Sequence, residues 1–426
     1  MIIIKNTNSG HFLIALGIIF LFAADRNLLI TQYALGGRSN IIYLTIVSIL
    51  VVTLAVLFLT IIQGKFSIRT KHKGLLISSL LLGAYFFAHE LIFSDGLVSA
   101  KYTVFLLIMC FSLLVRYNFF FVFKIMGYLG GVFCIFIVTQ QILLLGITEG
   151  DLSQFRVTIP GDLWGRNPNC DYVTPFGLGL MENCRDVRDV TILGFVINRS
   201  LFFSTEPKYI GSILLITFSA LLIVRSGSLL RKFFLTLHML AFVFVGSASA
   251  IFILFFSVIL VFFRYIGPIL YTSIIFLVPV FVLPALLYFI LILFSIDGFL
   301  LTRLMSFSGS VGEGVFQLML LGESTQACMD KKCRDAQGLI GSLVGTYGLV
   351  GLSLFWLFLY MVVSPMFRYL KDKDRKASVS IGLMVMLNTY IVFNIYFFGD
   401  IFNAFGLFII LTLVFLPSYL HEKSTS

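Results

Sequence analysis

Charged residues are scarce in this 426-residue chain: they make up 12% of it, whereas hydrophobic residues make up 59%. Soluble domains carry about 25% charged and about 45–50% apolar residues, so a water-soluble fold could not hide this much apolar surface. Tryptophan occurs only twice, against 48 phenylalanines, so most of the aromatic bulk lacks a polar tip. The composition excludes a soluble globular protein and predicts a protein embedded in a lipid bilayer.

The apolar residues form long runs and not the alternating strands of an outer-membrane barrel. Runs of about 15 to 25 apolar residues satisfy their own backbone groups as helices, so we expect an all-α, polytopic integral membrane protein with about 12 transmembrane helices. The predicted spans lie near residues 11–24, 41–63, 75–93, 98–115, 122–145, 208–224, 232–246, 249–263, 266–294, 341–363, 377–398 and 401–418. The seventh and eighth meet at residues 246–249 and form either a tight hairpin or one long kinked helix.

Two hydrophilic segments, 146–207 and 295–340, interrupt the apolar chain, which we interpret as a single transmembrane domain, 1–426, with two long external loops. The connectors on one side of the predicted topology carry 17 of the 30 Lys and Arg residues but only three of the 20 Asp and Glu residues. Because basic connectors stay in the cytoplasm, we expect both termini there and both long loops outside. The net charge of +10 reflects this topology and does not indicate nucleic-acid binding.

Histidine is missing from both loops, whereas each loop holds a cysteine pair: Cys170 and Cys184 in the first, and Cys328 and Cys333 in the second. Disulfides persist outside the cytosol, and pairing within each loop is the most economical of the possible connectivities. A zinc site is the alternative, but the irregular spacing and the lack of histidine favour disulfides. We therefore predict no metal site.

The segment 199–211, which leads from the first loop into a span, is the densest candidate for chemistry. It concentrates Arg199, Glu206 and Lys208 where the bilayer begins, and charges at that depth are costly unless they pair or line a water-filled cavity. Pro207 suits the first turn of a helix, and a helix N-terminus favours anions. Interfacial anchoring with an Arg199–Glu206 ion pair is the alternative interpretation.

Arg303, early in the second loop, is close enough to the membrane to converge with Arg199. Two arginines suit a diphosphate, because the planar guanidinium makes bidentate contacts with phosphate oxygens and stays charged. Alternatively, Arg303 snorkels from an amphipathic helix. His89 and Asp400, near the outer ends of spans, are further candidates for a base or a proton relay, although helix ends accommodate charge at little cost.

Four short segments lie in a fixed order over the second half of the chain. They are Arg199 with Phe202-Phe203-Ser204, Glu206-Pro207 and Gly211; the small-residue corner 246–250; Arg303 at the start of the second loop; and residues 341–351, with Tyr347-Gly348 and Gly351, at its end. This order and loop placement resembles that of the bacterial O-antigen polymerase and O-antigen ligase superfamily of membrane glycosyltransferases. The corner here lacks the arginine that the family has.

The resemblance implies a GT-C-like enzyme that polymerises undecaprenyl-diphosphate-linked repeat units, for O-antigen or a related surface polysaccharide, on the periplasmic face of the bacterial inner membrane. It implies that Arg199 and Arg303 hold the diphosphate and that Glu206, or else His89 or Asp400, is the general base. The substrate-binding candidates are Arg199, Arg303, Lys208, Tyr209 and Arg166. No cofactor is implied, and the partners are the carrier-linked glycan donor and acceptor, membrane lipid and a chain-length regulator protein.

Two other functions remain open. Ligases of the superfamily typically have a histidine late in the second loop, and residues 334–338 contain none, which favours the polymerase branch over a ligase. A polytopic transporter or a flippase for lipid-linked glycans is the second alternative. That class needs polar groups near the midplane and often has helices broken in matching halves, whereas the mid-span polar residues here are mostly Ser, Thr, Gln140-Gln141, Asn388 and Asn394.

Overall fold

The computed structural model is predominantly helical in the part of the chain that it describes. The described residues are 73–93, 106, 119–147, 171–173, 179–182, 190–192, 195–197, 199–202, 207–224, 227–262, 267–277, 339–371, 377–391, 409–410 and 412–417. The chain divides into two compact units. The first comprises Met1–Ala55, Asn118–Val261 and Lys376–Thr389, and the second comprises Val56–Tyr117, Phe262–Arg375 and Tyr390–Ser426.

The helices of the described segments coincide with predicted spans. They are α1 (Lys73–Phe93), α2 (Phe119–Ile147), α3 (Pro207–Ile223), α4 (Leu229–Val245), α5 (Ala248–Phe262), α6 (Pro268–Leu277), α7 (Leu339–Leu370) and α8 (Ala377–Asn388). Two stretches of the described helices, Phe123–Leu144 and Thr346–Leu370, are long and apolar enough to cross a bilayer. The predicted spans near 11–24 and 41–63, and all of 98–115 except Leu106, lie outside the described residues, so the number of twelve stays a prediction.

Short strands in the first long loop differ from the all-α prediction. Strands β1 (Asp171–Val173), β2 (Gly179–Glu182) and β5 (Arg199–Phe202) form an antiparallel sheet in the order β1-β2-β5, and β3 (Val190–Ile192) pairs with β4 (Phe195–Ile197). Their Val, Ile, Tyr and Phe residues favour pairing, and Pro and Gly between them allow the chain to turn. The helical prediction therefore holds for the apolar runs that the structure describes, whereas this loop contains short strands.

In the first unit, helix α3 packs against α2, α4 and α8. Gly130 of α2 leaves room for Thr217, with which a Cβ at position 130 would collide, and Gly127 faces Leu221 in the same way. Residue numbers therefore increase along α2 in the direction in which they decrease along α3, so these two helices are antiparallel. Small residues at such contacts let helix backbones approach closely, as membrane helices commonly do.

Helix α4 is also antiparallel to α3 and therefore runs in the same direction as α2. Arg231, in the first turn of α4, donates through Nε to the Leu221 carbonyl at the end of α3, at 2.7 Å. Further along α4, His238 lies beside Thr217, with 2.9 Å between Nε2 and Oγ1. In the first unit, α2, α3 and α4 thus form a bundle of helices that alternate in direction, with the starts of α2 and α4 at one end.

Polar side chains join these helices in the interior. The His238 ring donates through Nδ1 to the Phe234 carbonyl at 2.7 Å, in addition to its contact with Thr217. The Asn388 amide of α8 donates to the Ser257 hydroxyl of α5 at 2.9 Å, and both residues are fully buried. Buried polar groups need such partners, because an unpaired one loses its hydrogen bonds to water without replacement.

Apolar side chains, by contrast, cover outward faces of the bundle. On α5, Phe252, Phe255, Ile259 and Phe262 follow one another at helical spacing, and each is more than half exposed. A soluble helix has the opposite pattern, with its apolar stripe facing the core. Polar groups inside and an apolar stripe outside are what a lipid environment favours.

In the second unit, α1 and α7 pack together as an antiparallel pair. Gly74 near the start of α1 lies against Met361, whereas the Tyr85 hydroxyl near its end donates to the Tyr347 carbonyl at 2.7 Å. Helix α7 breaks one residue later, at Gly348, with φ 62° and ψ −165°. Glycine alone adopts this backbone region readily, so the Tyr347-Gly348 pair marks a discontinuity in a long apolar helix.

Candidate functional site

Arg199, the first sequence-predicted site residue, starts strand β5 at the edge of the small sheet. It lies opposite Met181 of β2, and the next residue, Ser200, lies opposite Leu180. The strand ends at Phe202, shortly before helix α3 begins at Pro207. The sheet therefore fixes Arg199 at the end of the bundle where α3 starts and α4 ends.

The side chain of Arg199 packs against Gly246 at the corner between α4 and α5. A Cβ at Gly246 would lie 3.2 Å from Nε and 3.3 Å from Cγ of the arginine. Gly246 has φ 59° and ψ 30°, and its amide donates to the Phe242 and Val243 carbonyls, which ends α4. Glycine is suited to both demands, since it adopts the left-handed conformation and leaves room for the arginine stem.

Ser247 directly precedes α5, caps its first turn and lies against α3. The Ala250 amide donates to the Ser247 hydroxyl at 3.4 Å, and the Ser249 hydroxyl lies 3.1 Å from it. Gly211 of α3 faces the same residues, because a Cβ there would lie 2.8 Å from both Ser247 Oγ and Ala250 Cβ. Two segments that the sequence singles out separately, 199–211 and 246–250, are therefore in contact.

Ser200 connects the strand to the end of helix α2. Its hydroxyl donates to the Gln140 side-chain oxygen at 3.4 Å, and both side chains are almost completely buried. In the sequence, Gln140 is recognisable only as mid-span polar content, and no pattern connects it with Arg199. A glutamine pair inside an apolar run is a signal that an interior polar partner exists, but it does not identify that partner.

Of the remaining predicted site residues, some lie within the described segments and others lie outside them. Tyr209, in the first turn of α3, is buried, and its carbonyl accepts a 2.7 Å bond from the Ser212 hydroxyl. Lys208 precedes it in the same turn. The predicted site residues Glu206, Arg303, Arg166, Asp400, Cys170, Cys184, Cys328 and Cys333 lie outside the described residues. The convergence of Arg199 with Arg303 and both disulfides stay predictions.

His89, the alternative base, lies in the second unit, near the end of α1. Its ring is 3% exposed and meets the Tyr347 ring edge-on, with 4.9 Å between centroids. Phe86 packs on the same tyrosine at 4.4 Å. His89 therefore belongs to the aromatic cluster beside the α7 break.

At the Arg199 corner, the guanidinium offers several donors in a fixed plane, which suits phosphate oxygens. Gly246 lies beside the arginine stem, and the Ser247 and Ser249 hydroxyls belong to the same corner. Within the described segments, no group of three or more His, Cys, Asp or Glu residues is arranged to hold a metal ion. Comparison of the chain with protein-family models, with curated proteins and with solved structures returned no match.

Proposed function

We propose that this chain is a membrane glycosyltransferase that polymerises undecaprenyl-diphosphate-linked oligosaccharide repeat units on the periplasmic face of the bacterial inner membrane. One observation carries the proposal: Arg199 packs on Gly246, and Gly211 of the same segment packs on Ser247. The resemblance to O-antigen polymerases selects these two segments from separate parts of the sequence. Their contact is what a shared site would require.

The proposed membrane location is supported by the reversed polarity of the first unit. Phe252, Phe255 and Ile259 are 56%, 64% and 51% exposed, while Asn388 and His238 are fully buried. In water such a surface would promote aggregation, whereas lipid accommodates it. In this proposal the rest of the chain follows the same pattern, which gives a polytopic, GT-C-like protein with about twelve spans.

The proposed orientation is supported by basic residues at the other end of the bundle. Lys124 lies near the start of α2, and Arg231 and Lys232 lie near the start of α4. Because α2 and α4 run in the same direction, these residues lie at the opposite end from Arg199 and Gly246. Basic residues favour the cytoplasmic side, so the Arg199 end is the periplasmic one in this proposal.

The proposed reaction joins the sugar chain of one carrier to a sugar hydroxyl on another. The acceptor oxygen attacks the anomeric carbon of the donor, the bond from that carbon to the diphosphate oxygen breaks, and undecaprenyl diphosphate leaves with the electron pair. Arg199 and Arg303 stabilise the growing charge on the diphosphate, assisted by Lys208. Glu206 accepts the proton of the acceptor hydroxyl. Tyr209 and Arg166 contribute to substrate binding.

Purified protein in proteoliposomes, supplied with carrier-linked repeat units from the source cell, tests this function. We expect a ladder of longer carrier-linked glycans, which Arg199→Ala and Arg303→Ala abolish while the protein stays folded. Lys232→Ala is the matched control, because it removes an exposed positive charge at the opposite end of α4 and should leave the ladder intact. A normal ladder from both arginine variants would contradict the assignment.

A lipid-linked glycan transporter is the second candidate, and the break of α7 at Gly348 favours it. Transporters commonly bind substrate where a membrane helix is discontinuous. In the same proteoliposomes, a transporter moves carrier-linked repeat units across the bilayer without lengthening them. Ladder formation supports the polymerase, and movement of unextended units supports the transporter. A ligase, in contrast, transfers the glycan to a lipid A core acceptor.

A further inference from the structure

Gln140 is a buried amide in an apolar helix. It lies near the end of α2 with 2% of its surface exposed, and its Oε1 accepts the hydroxyl proton of Ser200 at 3.4 Å. Burying an amide costs free energy unless hydrogen bonds replace those to water. The Ser200 contact therefore has a physical reason to persist, and it ties strand β5 to α2.

The direction of side chains along β5 connects this contact with Arg199. Successive residues of a strand point to opposite faces, so Ser200 and Arg199 are directed oppositely. Ser200 faces Gln140 of α2, while Arg199 packs on Gly246 at the α4–α5 corner. Backbone pairing with β2 holds the strand along its edge. Gln140 of α2 is thus linked through Ser200 to the strand that carries Arg199.

We propose that Gln140 is a positioning residue that acts through Ser200 to hold Arg199 where it binds the carrier diphosphate. This inference rests on the proposed function, since it assigns a ligand to Arg199. Gln140 does not touch substrate. It restricts the backbone freedom of β5, so that the arginine loses less conformational entropy when it binds the phosphate oxygens.

The test measures binding of undecaprenyl diphosphate to purified protein in detergent. Gln140→Met keeps the side-chain length without the amide, and Ser200→Ala removes the donor. Each should weaken binding about fivefold, as expected for one hydrogen bond, and the double variant should be no worse than either single one. Ser200→Thr keeps the hydroxyl and should bind as the unchanged protein does. In an Arg199→Ala background, Gln140→Met should have no further effect.

The control is a second buried amide–serine pair in the same unit, Asn388 and Ser257, which are 2.9 Å apart. Asn388→Leu removes a comparable bond away from Arg199, so it should lower the unfolding temperature but leave the affinity of the folded protein unchanged. Equal affinity of Gln140→Met and the unchanged protein overturns the inference. An equal loss of affinity from Gln140→Met in the Arg199→Ala background also overturns it. If Arg199→Ala itself leaves binding of undecaprenyl diphosphate unchanged, the proposed function fails as well. The Gln140 and Arg199 variants therefore distinguish failure of this inference from failure of the proposed function.

Discussion

The Tyr85 hydroxyl donates a 2.7 Å hydrogen bond to the backbone carbonyl of Tyr347. That carbonyl belongs to the residue before Gly348, where the backbone of α7 leaves the helical conformation. A break disturbs the helical hydrogen-bond ladder, and in an apolar environment the disturbed groups need other partners. Tyr85 supplies a donor beside the break, so a side chain of α1 stabilises the discontinuity in α7.

Gly348→Ala should destabilise the protein. The torsions φ 62° and ψ −165° lie in a region that residues with a Cβ almost never adopt. We expect a loss of about 1–3 kcal/mol in the free energy of unfolding, measured by denaturant unfolding in detergent. Gly267→Ala is the control, because a Cβ there meets nothing within 4 Å. Equal stability of the two variants would show that the break is not fixed in this conformation.

Tyr85→Phe should loosen the break without removing the ring. The ring keeps its packing, but the Tyr347 carbonyl loses its donor, at a cost of about 1 kcal/mol. Hydrogen exchange should become faster for amides around residues 345–352, on both sides of the break. Tyr360→Phe makes the same change further along α7, where the ring stacks on Trp356, and should leave exchange near the break unchanged. Identical exchange profiles for both variants would contradict the role of Tyr85.

The sequence predicts the helices of the described segments well because long apolar runs indicate burial in lipid or in a core. Residues 246–249 left a choice between a hairpin and one kinked helix, and the structure has two separate helices there. Gly246 takes the left-handed conformation that ends α4, and Ser247 accepts the Ala250 amide at the start of α5. Both residue types are typical of these roles, so a helix end at this corner is readable from the sequence.

The contacts that build the candidate site are not readable in this way. Ser200 and Gln140 are 60 residues apart, and no local sequence pattern predicts their contact. The same is true of Arg199 and Gly246, whose contact depends on how β5, α3 and α4 pack together. The strands of the first loop escaped prediction because each has only three or four residues, too few for a clear alternation.

Gly246→Ala should reduce both stability and the proposed glycosyl transfer. The new methyl group takes the space beside the Arg199 stem, at 3.2 Å from Nε, and the left-handed backbone is strained for alanine. We expect a loss of about 1–2 kcal/mol in stability, measured by unfolding in detergent, and a shorter glycan ladder. In an Arg199→Ala background the clash between the new methyl group and the arginine side chain disappears, so the loss of stability caused by Gly246→Ala should become smaller. The same loss in both backgrounds would mean that the arginine does not occupy this space.

Thr217→Val should destabilise the first unit, although it keeps the side-chain shape. A carbonyl oxygen can only accept a hydrogen bond, so Nδ1 of His238 is protonated and donates to the Phe234 carbonyl. In the neutral ring, Nε2 therefore accepts a hydrogen bond from the Thr217 hydroxyl. Valine leaves this buried nitrogen without a donor, which costs about 1–3 kcal/mol. Thr236→Val is the matched control, because Thr236 is exposed on α4 and bonds only its own helix, to the Lys232 carbonyl. Thermal unfolding in detergent should therefore show a lower midpoint for Thr217→Val than for Thr236→Val, and equal midpoints would mean that the Thr217–His238 contact does not stabilise the helix pair.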